Sequence, residues 1–180
     1  MKSISDFLKN QQGYAYLMTL IAFPCILMLA AMAIDIGHVA AAKMKAQNSI
    51  NLALRAACQE LDEEALQDPI EPQLVILPNE ARLKFNEVLQ KNLNLDAYNN
   101  PMAGSFAAGK VIVNDFKVFN TVPDTYTYGS YTEHIDRVCI SAVITVPIKL
   151  TGFARISEDI PTDFDLVLHS TVGPEFIPQI

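Results

Sequence analysis

Residues 14–34 of this chain read YAYLMTLIAFPCILMLAAMAI, a stretch without Asp, Glu, Lys, Arg or His. At about 1.5 Å of rise per residue, a helix of this length crosses a hydrocarbon core of about 30 Å. The stretch therefore predicts a transmembrane helix. Pro24 near its middle predicts a local kink, because proline has no N–H to donate and its ring clashes with the carbonyl four residues earlier.

Composition points the same way. The 180 residues are 51% hydrophobic and only 18% charged, with a mean hydropathy of +0.20. Such a chain is too apolar to be disordered. Its net charge of -7 and pI of about 4.8 argue against nucleic-acid binding, which normally needs a basic surface. We therefore expect the membrane as one partner, and neither a nucleic acid nor a small-molecule substrate.

Three other interpretations of the apolar stretch remain open: a cleaved secretory signal, a buried core helix, and a plain membrane anchor with no further role. A secretory signal could be cut after Ala33, because Ala31-Met32-Ala33 has the small-x-small pattern of a cleavage site. However, the stretch exceeds the apolar core of about 7–15 residues that signals have, and the helical pattern continues beyond Ile34. A buried core helix is disfavoured because a helix that is apolar all round needs protein on every side.

Membrane orientation follows only weakly from the flanking charges. Lys2 and Lys9 precede the apolar stretch, and Lys43 and Lys45 follow it, so only the terminal amine tips the balance. Because positive charge favours the cytoplasmic side, we place the amino terminus there. The prediction is a single-pass protein of the cytoplasmic (inner) membrane with an extracytoplasmic carboxyl-terminal domain.

The helical pattern continues after the membrane. Residues 35–66 contain no proline and are rich in Ala, Lys, Gln, Leu and Glu, which favour helix. A stripe of mostly apolar or small residues, interrupted by the polar Gln47, recurs there at spacings of three and four: Ile36, Val39, Ala40, Met44, Gln47, Ile50, Leu54, Ala57, Cys58 and Leu61. The pattern predicts an amphipathic helix. Whether this stripe covers the chain's own domain or also packs in an assembly is left open by the sequence.

The remainder predicts a small α+β domain. Prolines end the long helix after Asp68, and a shorter amphipathic helix follows, capped by Asn79 and fading near Asn94. Alternation of period two then predicts three strands of an antiparallel sheet: Val111 to Phe119, Arg137 to Lys149 and Phe164 to Val172. Pro147 predicts an edge position or a bulge. The polar, tyrosine-rich stretch 123–136 is either a hairpin turning at Gly129-Ser130 or an exposed loop.

The sequence gives little sign of catalytic chemistry. His38, His134 and His169 lack the spacing of a helical zinc pair, and the sequence contains no nucleophile elbow, phosphate loop or glycine fingerprint after a strand. We expect no enzymatic activity, no catalytic residue, no metal and no cofactor. Glu133, His134 and Asp136 form the best local cluster, but polar loops gather such residues by composition alone.

We expect different roles for the three cysteines. Cys58 lies on the helical stripe and Cys139 in the middle predicted strand, so the two are candidates for a disulfide if the domain is outside the cytoplasm. Cys25 lies within the apolar span and is expected to act as a small apolar residue.

The amino-terminal third has a further spacing pattern. Gly13 is followed eleven residues later by Pro24 and another eleven later by Asp35, then by Gly37 and the helical sequence AAAKMKAQNSINLALRAACQEL. Over residues 9 to about 61 the chain resembles the TadE/TadG-like pseudopilins, or minor pilins, of tight-adherence (Flp) pilus systems. The resemblance implies a long amino-terminal helix followed by a pilin-like α+β domain.

The resemblance also carries expectations for single residues. It implies a prepilin-peptidase cut between Gly13 and Tyr14. The family usually has a glutamate five places after the cut, whereas this chain has Met18 and lacks the carboxylate that would pair with a neighbour's new amino terminus. An ionised carboxylate in a bilayer is costly unless paired, so its absence favours a permanent membrane resident over a polymerising subunit.

These observations combine into one hypothesis, a membrane-anchored minor pilin or accessory subunit of a Tad-type pilus or related secretion apparatus. Its expected partners are other pilin-like subunits and pilus assembly proteins. Close helix packing is assigned to Pro24, Ala30, Ala31, Ala33, Asp35 and Gly37. The expected divisions are a leader-like segment 1–12, a transmembrane helix 13–34, its amphipathic continuation 35–66 and the α+β domain 67–180. The alternative is a tethered binding module that uses the loop from Tyr126 to Tyr131.

Overall fold

The computed structural model describes residues 11–67, 69–70, 72–150 and 163–174, so most of the predicted leader-like segment lies outside the described residues. Helix α1 spans Gln11–Ala57 and continues through Pro24. The described chain divides into two units within this helix. Residues 11–40 belong to the first unit, and residues 41–149 and 163–174 to the second.

Helix α1 ends earlier than its composition predicts. It stops at Ala57 instead of near residue 66, and Leu61 pairs with Ile76 in an isolated antiparallel bridge. The backbone N–H of Leu77 donates to the carbonyl of Glu60 at 2.9 Å. The residues after Ala57 thus bond to the extended segment before the next helix. Tertiary pairing overrides helix propensity here because propensity is worth less than about 1 kcal/mol per residue.

Two short helices follow. Helix α2 spans Glu63–Leu66, and its cap Asp62 accepts hydrogen bonds from the N–H groups of Glu64 and Ala65. Helix α3 spans Pro78–Leu93, and the predicted Asn79 cap is wrong: Leu77 is the N-cap and Pro78 occupies the first helical position. Proline suits that position because the N–H it lacks would have no helical partner. The helix ends as predicted, with Asn94 in the left-handed conformation.

All three predicted strands form one antiparallel sheet. Strands β1 (Ile112–Phe119), β4 (Cys139–Lys149) and β5 (Asp163–Val172) have the order β1-β4-β5. Strand β4 is central, which explains its nearly continuous apolar sequence. Pro147 pairs with Asp165 of β5 but lies beyond the end of β1, so the missing N–H costs no bond on that side.

The tyrosine-rich segment is a hairpin. Strands β2 (Asp124–Tyr128) and β3 (Tyr131–Ile135) pair across the two-residue turn Gly129-Ser130, with Gly129 at a positive φ of 59°. Glycine at the first turn position is typical of a type II′ hairpin. The α+β class and the small antiparallel sheet are therefore confirmed.

The hairpin and α1 contact opposite faces of the sheet. Gln47 and Asn51 of α1 bond to His169 O and Ser170 Oγ of β5, while a buried cluster joins the hairpin to the sheet. The members of that cluster are Phe119, Tyr126, Ile135, Cys139 and Val143. A strand's side chains alternate between faces, so the sheet has a covering layer on each side.

Candidate functional site: the exposed apolar half of α1

The first half of α1 has the surface of a membrane helix. From Tyr14 to Ala30 every residue is exposed, and Leu20 and Leu29 are 73% and 67% exposed. Among the described residues, the helix from Tyr14 to Ala57 is the one long and apolar enough to cross a membrane. The free energy of a leucine side chain exposed to water is about 1.5–3 kcal/mol higher than that of one in an apolar environment. A lipid or protein covering is therefore required.

The predicted packing residues lie on this surface. Ala30 and Ala33 are exposed and Ala31 is half-buried. Gly37 is exposed too, and a methyl group added there would meet no atom within 4 Å. Nothing in the described chain requires glycine at this position, although glycine within a helix costs about 0.5–1 kcal/mol relative to alanine. The empty space beside Gly37 is open to another molecule.

Asp35 departs from the exposed pattern around it. It is 8% exposed, whereas Ile34 and Ile36 on either side are about 60% exposed. Three residues further, His38 has a buried Nδ1 without a hydrogen-bond partner among the described residues. The sequence pattern gave no sign of this burial, because a charge just after an apolar span is ordinarily exposed.

The predicted processing site lies in the first turns of α1. Gly13 and Tyr14 are both helical, and the Tyr14 side chain is 48% exposed. Met18 is 50% exposed, and Thr19 bonds to its own helix, its hydroxyl donating to the carbonyl of Ala15 at 2.9 Å. A shallow apolar notch of about 280 Å³ lies at the turn before Pro24; it is lined by Met18, Thr19, Ala22, Phe23 and Ile26.

The amphipathic stripe is only partly as predicted. Ile50, Leu54, Ala57 and Cys58 are buried, but Ile36, Ala40 and Met44 are exposed. The first buried apolar residues are instead Ala42 and Ala46, which the pattern did not include. The small alanine side chains at these two positions let the helix approach the domain closely. The spacing of apolar residues had instead predicted that Ala40 and Met44 would be buried.

Cys58 and Cys139 are both buried free thiols, and Cys25 is exposed on the apolar half of α1. Burial raises the pKa of the Cys58 thiol to about 12, with a further contribution from Cys139, so the two thiols lie in each other's field. The Cys58 thiol donates to the carbonyl of Val172 at 3.1 Å. Burial also raises the pKa of Cys139, to about 11. Neither is therefore a reactive thiolate at neutral pH.

The hairpin forms the alternative site considered from the sequence. Its tip, with Val143, Val167 and His169 of the sheet, lines an apolar cavity of about 290 Å³. The His169 ring stacks on Tyr126 at 5.5 Å and lies 4.1 Å from the Tyr131 ring, centre to centre. Tyr128 and Tyr131 are partly exposed at this tip, while Tyr126 is buried.

A polar network lies beneath the hairpin. The Thr171 hydroxyl donates to Glu133 Oε2 at 2.6 Å and lies 2.8 Å from the Ser141 hydroxyl. His169 Nε2 is 3.8 Å from the same Glu133 oxygen. Burial lowers the pKa of His169, and the Glu133 charge partly offsets that effect. In the part of the chain that the structure describes, no three His, Cys, Asp or Glu side chains are placed to hold a metal ion.

Comparison with known proteins matches the region that carries the spacing pattern. Residues 13–60 match the family model described as putative Flp pilus-assembly TadE/G-like. No curated protein and no solved structure matches the chain. The matched residues include the exposed apolar half of α1, the small residues near its end and the start of the buried stripe. Residues 13–60 are thus similar to the TadE/G-like family, and together with the candidate membrane helix this match supports a membrane-anchored, Tad pilus-related protein.

Proposed function

We propose that this protein is a minor pilin-like accessory subunit, held in the cytoplasmic membrane by the apolar half of α1, with its α+β domain outside the cytoplasm. The observation that supports this most directly is that the family match covers the exposed apolar helix. One continuous helix carries an apolar surface over residues 14–34 and buries its later residues in a folded domain.

The proposed mechanism is an exchange of neighbours for the apolar half of α1. In the membrane its side chains contact lipid, and in the assembly they contact equivalent helices of other pilin-like subunits. Lipid and leucine are similarly apolar, so this exchange involves little hydrophobic free energy, and close packing at small residues decides it. Ala30, Ala33 and Gly37 are exposed and supply such places.

The amino terminus of the mature protein distinguishes this proposal from the alternative interpretations. Intact mass and amino-terminal sequence of the protein from native membranes should give Tyr14 as the new terminus if a prepilin peptidase acts. An unprocessed chain in the membrane would support a permanent anchor with an accessory role, consistent with Met18 in place of the usual glutamate. A terminus at Ile34 in the soluble fraction would refute the membrane-anchored function.

Helix packing can be tested with a photo-crosslinking residue at two leucines. Leu29 in the apolar half of α1 is 67% exposed, and Leu83 on α3 is 72% exposed, so the pair is matched in size and accessibility. In cells that carry the pilus system, the probe at Leu29 should crosslink to pilin-like subunits, and the probe at Leu83 should not. Crosslinks to lipid alone at Leu29 would contradict packing in an assembly.

The hairpin cavity supports a second candidate, a tethered binding module. Partly exposed Tyr128 and Tyr131 border an apolar cavity of about 290 Å³, near the small end of the range for ligand sites. In this case Tyr128→Ala and Tyr131→Ala should abolish function while the Leu29 crosslink to subunits is absent. For the pilin-like subunit, the crosslink is present and both variants keep their function.

A further inference from the structure

We infer that a basic groove between the end of α1 and the end of β5 binds carboxylate side chains of a partner polypeptide. The groove has a volume of about 640 Å³ and is open to solvent. Its wall on α1 contains Gln47, Asn51 and Arg55, and its opposite wall is formed by Arg137 and the strand end 170–174. All of these residues belong to the second unit of the chain.

Charge is the first support. The chain carries 20 acidic and 13 basic residues, yet the described residues that line the groove include two arginines and no acidic residue. Glu133 and Asp136 line a neighbouring cavity of about 110 Å³, which Arg137 also borders, and neither of these acidic residues lines the groove. Arg55 also takes part in another interaction, and it lines the α1 wall of the groove together with Gln47 and Asn51.

The second support is a row of fixed polar groups between the arginines. Asn51 Oδ1 accepts hydrogen bonds from Ser170 Oγ at 2.6 Å and from Gln47 Nε2 at 3.3 Å. Gln47 Nε2 also donates to the carbonyl of His169 at 3.3 Å. These bonds hold the amides of two successive helical turns against β5, so the polar wall needs little rearrangement on binding.

Gly173 gives the groove its shape. A Cβ atom at this position would lie 2.8 Å from the carbonyl oxygen of Val138, closer than real contacts allow, and 3.6 Å from Nε of Arg137. Only glycine lets the chain after β5 lie this close to the β3–β4 connection that carries Arg137. The Arg137 guanidinium is thereby brought to the strand end that borders the groove.

These features favour a carboxylate on a polypeptide. A guanidinium presents paired donors that match the two oxygens of a carboxylate. The amide and hydroxyl groups of the wall can bond to a peptide main chain, and Val172 and Pro174 add apolar residues beside them. The groove volume also exceeds what a single small anion needs and lies within the range of ligand sites.

The test uses the full-length protein in detergent micelles and a fluorescent dodecapeptide of alternating Glu and Gly. We expect saturable binding that weakens as salt rises, because exposed charges are screened. A dodecapeptide of alternating Gln and Gly should not bind. Arg137→Gln and Arg55→Gln should each weaken binding about tenfold, the usual effect of losing a hydrogen bond to a charged group.

Arg82→Gln is the matched control, since Arg82 is an exposed arginine of the same unit on α3 and outside the groove. It should leave binding unchanged. Equal weakening by all three variants would indicate unspecific charge attraction and overturn the inference. Displacement of the peptide by inorganic phosphate, at equal concentrations of carboxylate and phosphate, would also overturn the inference. The same holds if the Glu-Gly peptide does not bind but phosphatidylglycerol vesicles bind in a manner that depends on Arg137. The outcome is independent of helix crosslinking at Leu29, so failure here leaves the proposed subunit role standing.

Discussion

Removing the Tyr126 hydroxyl should weaken the attachment of the β2–β3 hairpin to the sheet. Tyr126 is 2% exposed, and its hydroxyl donates to Asp115 Oδ2 of β1 at 2.8 Å. Its ring lies edge-on to Phe119 at 5.9 Å and stacks on His169. Tyr126→Phe preserves both ring contacts and deletes one bond to a charged acceptor.

The expected loss in the free energy of unfolding is about 1.5 kcal/mol. Hydrogen bonds to charged groups contribute about 1.5–3 kcal/mol, and the half-buried Asp115 places this one at the lower end. Burial and the Asp115 bond also raise the pKa of Tyr126, which agrees with a hydroxyl held in its protonated form. The melting temperature should fall by about 3–6 °C in a domain of this size.

Urea unfolding of the full chain in micelles, followed by near-ultraviolet circular dichroism, measures this loss because the chain has tyrosines and no tryptophan. Tyr128→Phe is the control, since Tyr128 lies on the same strand and is 36% exposed; it should change stability by less than about 0.5 kcal/mol. In an Asp115→Ala background, Tyr126→Phe should cost at least about 1 kcal/mol less. Equal costs for the two tyrosine variants, or equal costs of Tyr126→Phe in both backgrounds, would refute the reasoning.

Four further predictions concern other parts of the chain. Gly37→Ala should raise helix stability by about 0.5–1 kcal/mol in thermal unfolding, yet lower the yield of the Leu29 crosslink if a neighbouring helix packs there. Since burial lowers the folded-state pKa of His169 below its ordinary 6.5, the unfolded chain binds the proton more readily, and stability should fall as pH drops through and below about 6.5. His169→Gln should flatten that slope in urea titrations between pH 7.5 and 5.5. In reduced protein, Cys58 and Cys139 should resist alkylation at pH 8 until urea unfolds the domain, as mass spectrometry can measure. In protein exported to an oxidising compartment, we expect thiol–disulfide exchange with another protein's disulfide to form a Cys58–Cys139 disulfide. The mass should fall by two hydrogens, and the free energy of unfolding should rise by about 4 kcal/mol.

The helix and strands were predictable because their signals are local. An apolar run of the length of residues 14–34 has few stable states other than a helix in a membrane. The three predicted strands are runs of β-branched and aromatic residues bounded by Pro, Gly, Asp or Asn, and such runs favour strands. The spacing from Gly13 through Pro24 to Asp35 was sufficient to indicate the TadE/G-like family, which the match over residues 13–60 supports.

Boundaries and burial depended on partners distant in sequence. The end of α1 at Ala57 is set by the bridge from Leu61 to Ile76, which no helix propensity reports. Ala42 and Ala46 are buried, and Ile36 and Met44 are not, because the side of the helix that carries the two alanines packs on the domain. A stripe of apolar residues in the sequence does not show what the helix packs against.

The sequence by itself determined that this protein has a long apolar helix followed by a small antiparallel α+β domain, because hydrophobic period and run length act within one segment. Only the tertiary structure decided that Arg55 and Arg137, eighty-two positions apart in the numbering, line one groove, and that Tyr126 is buried while Tyr128 is exposed. Such placements require strand order, register and helix docking together, and these are fixed by contacts between segments that share no local pattern.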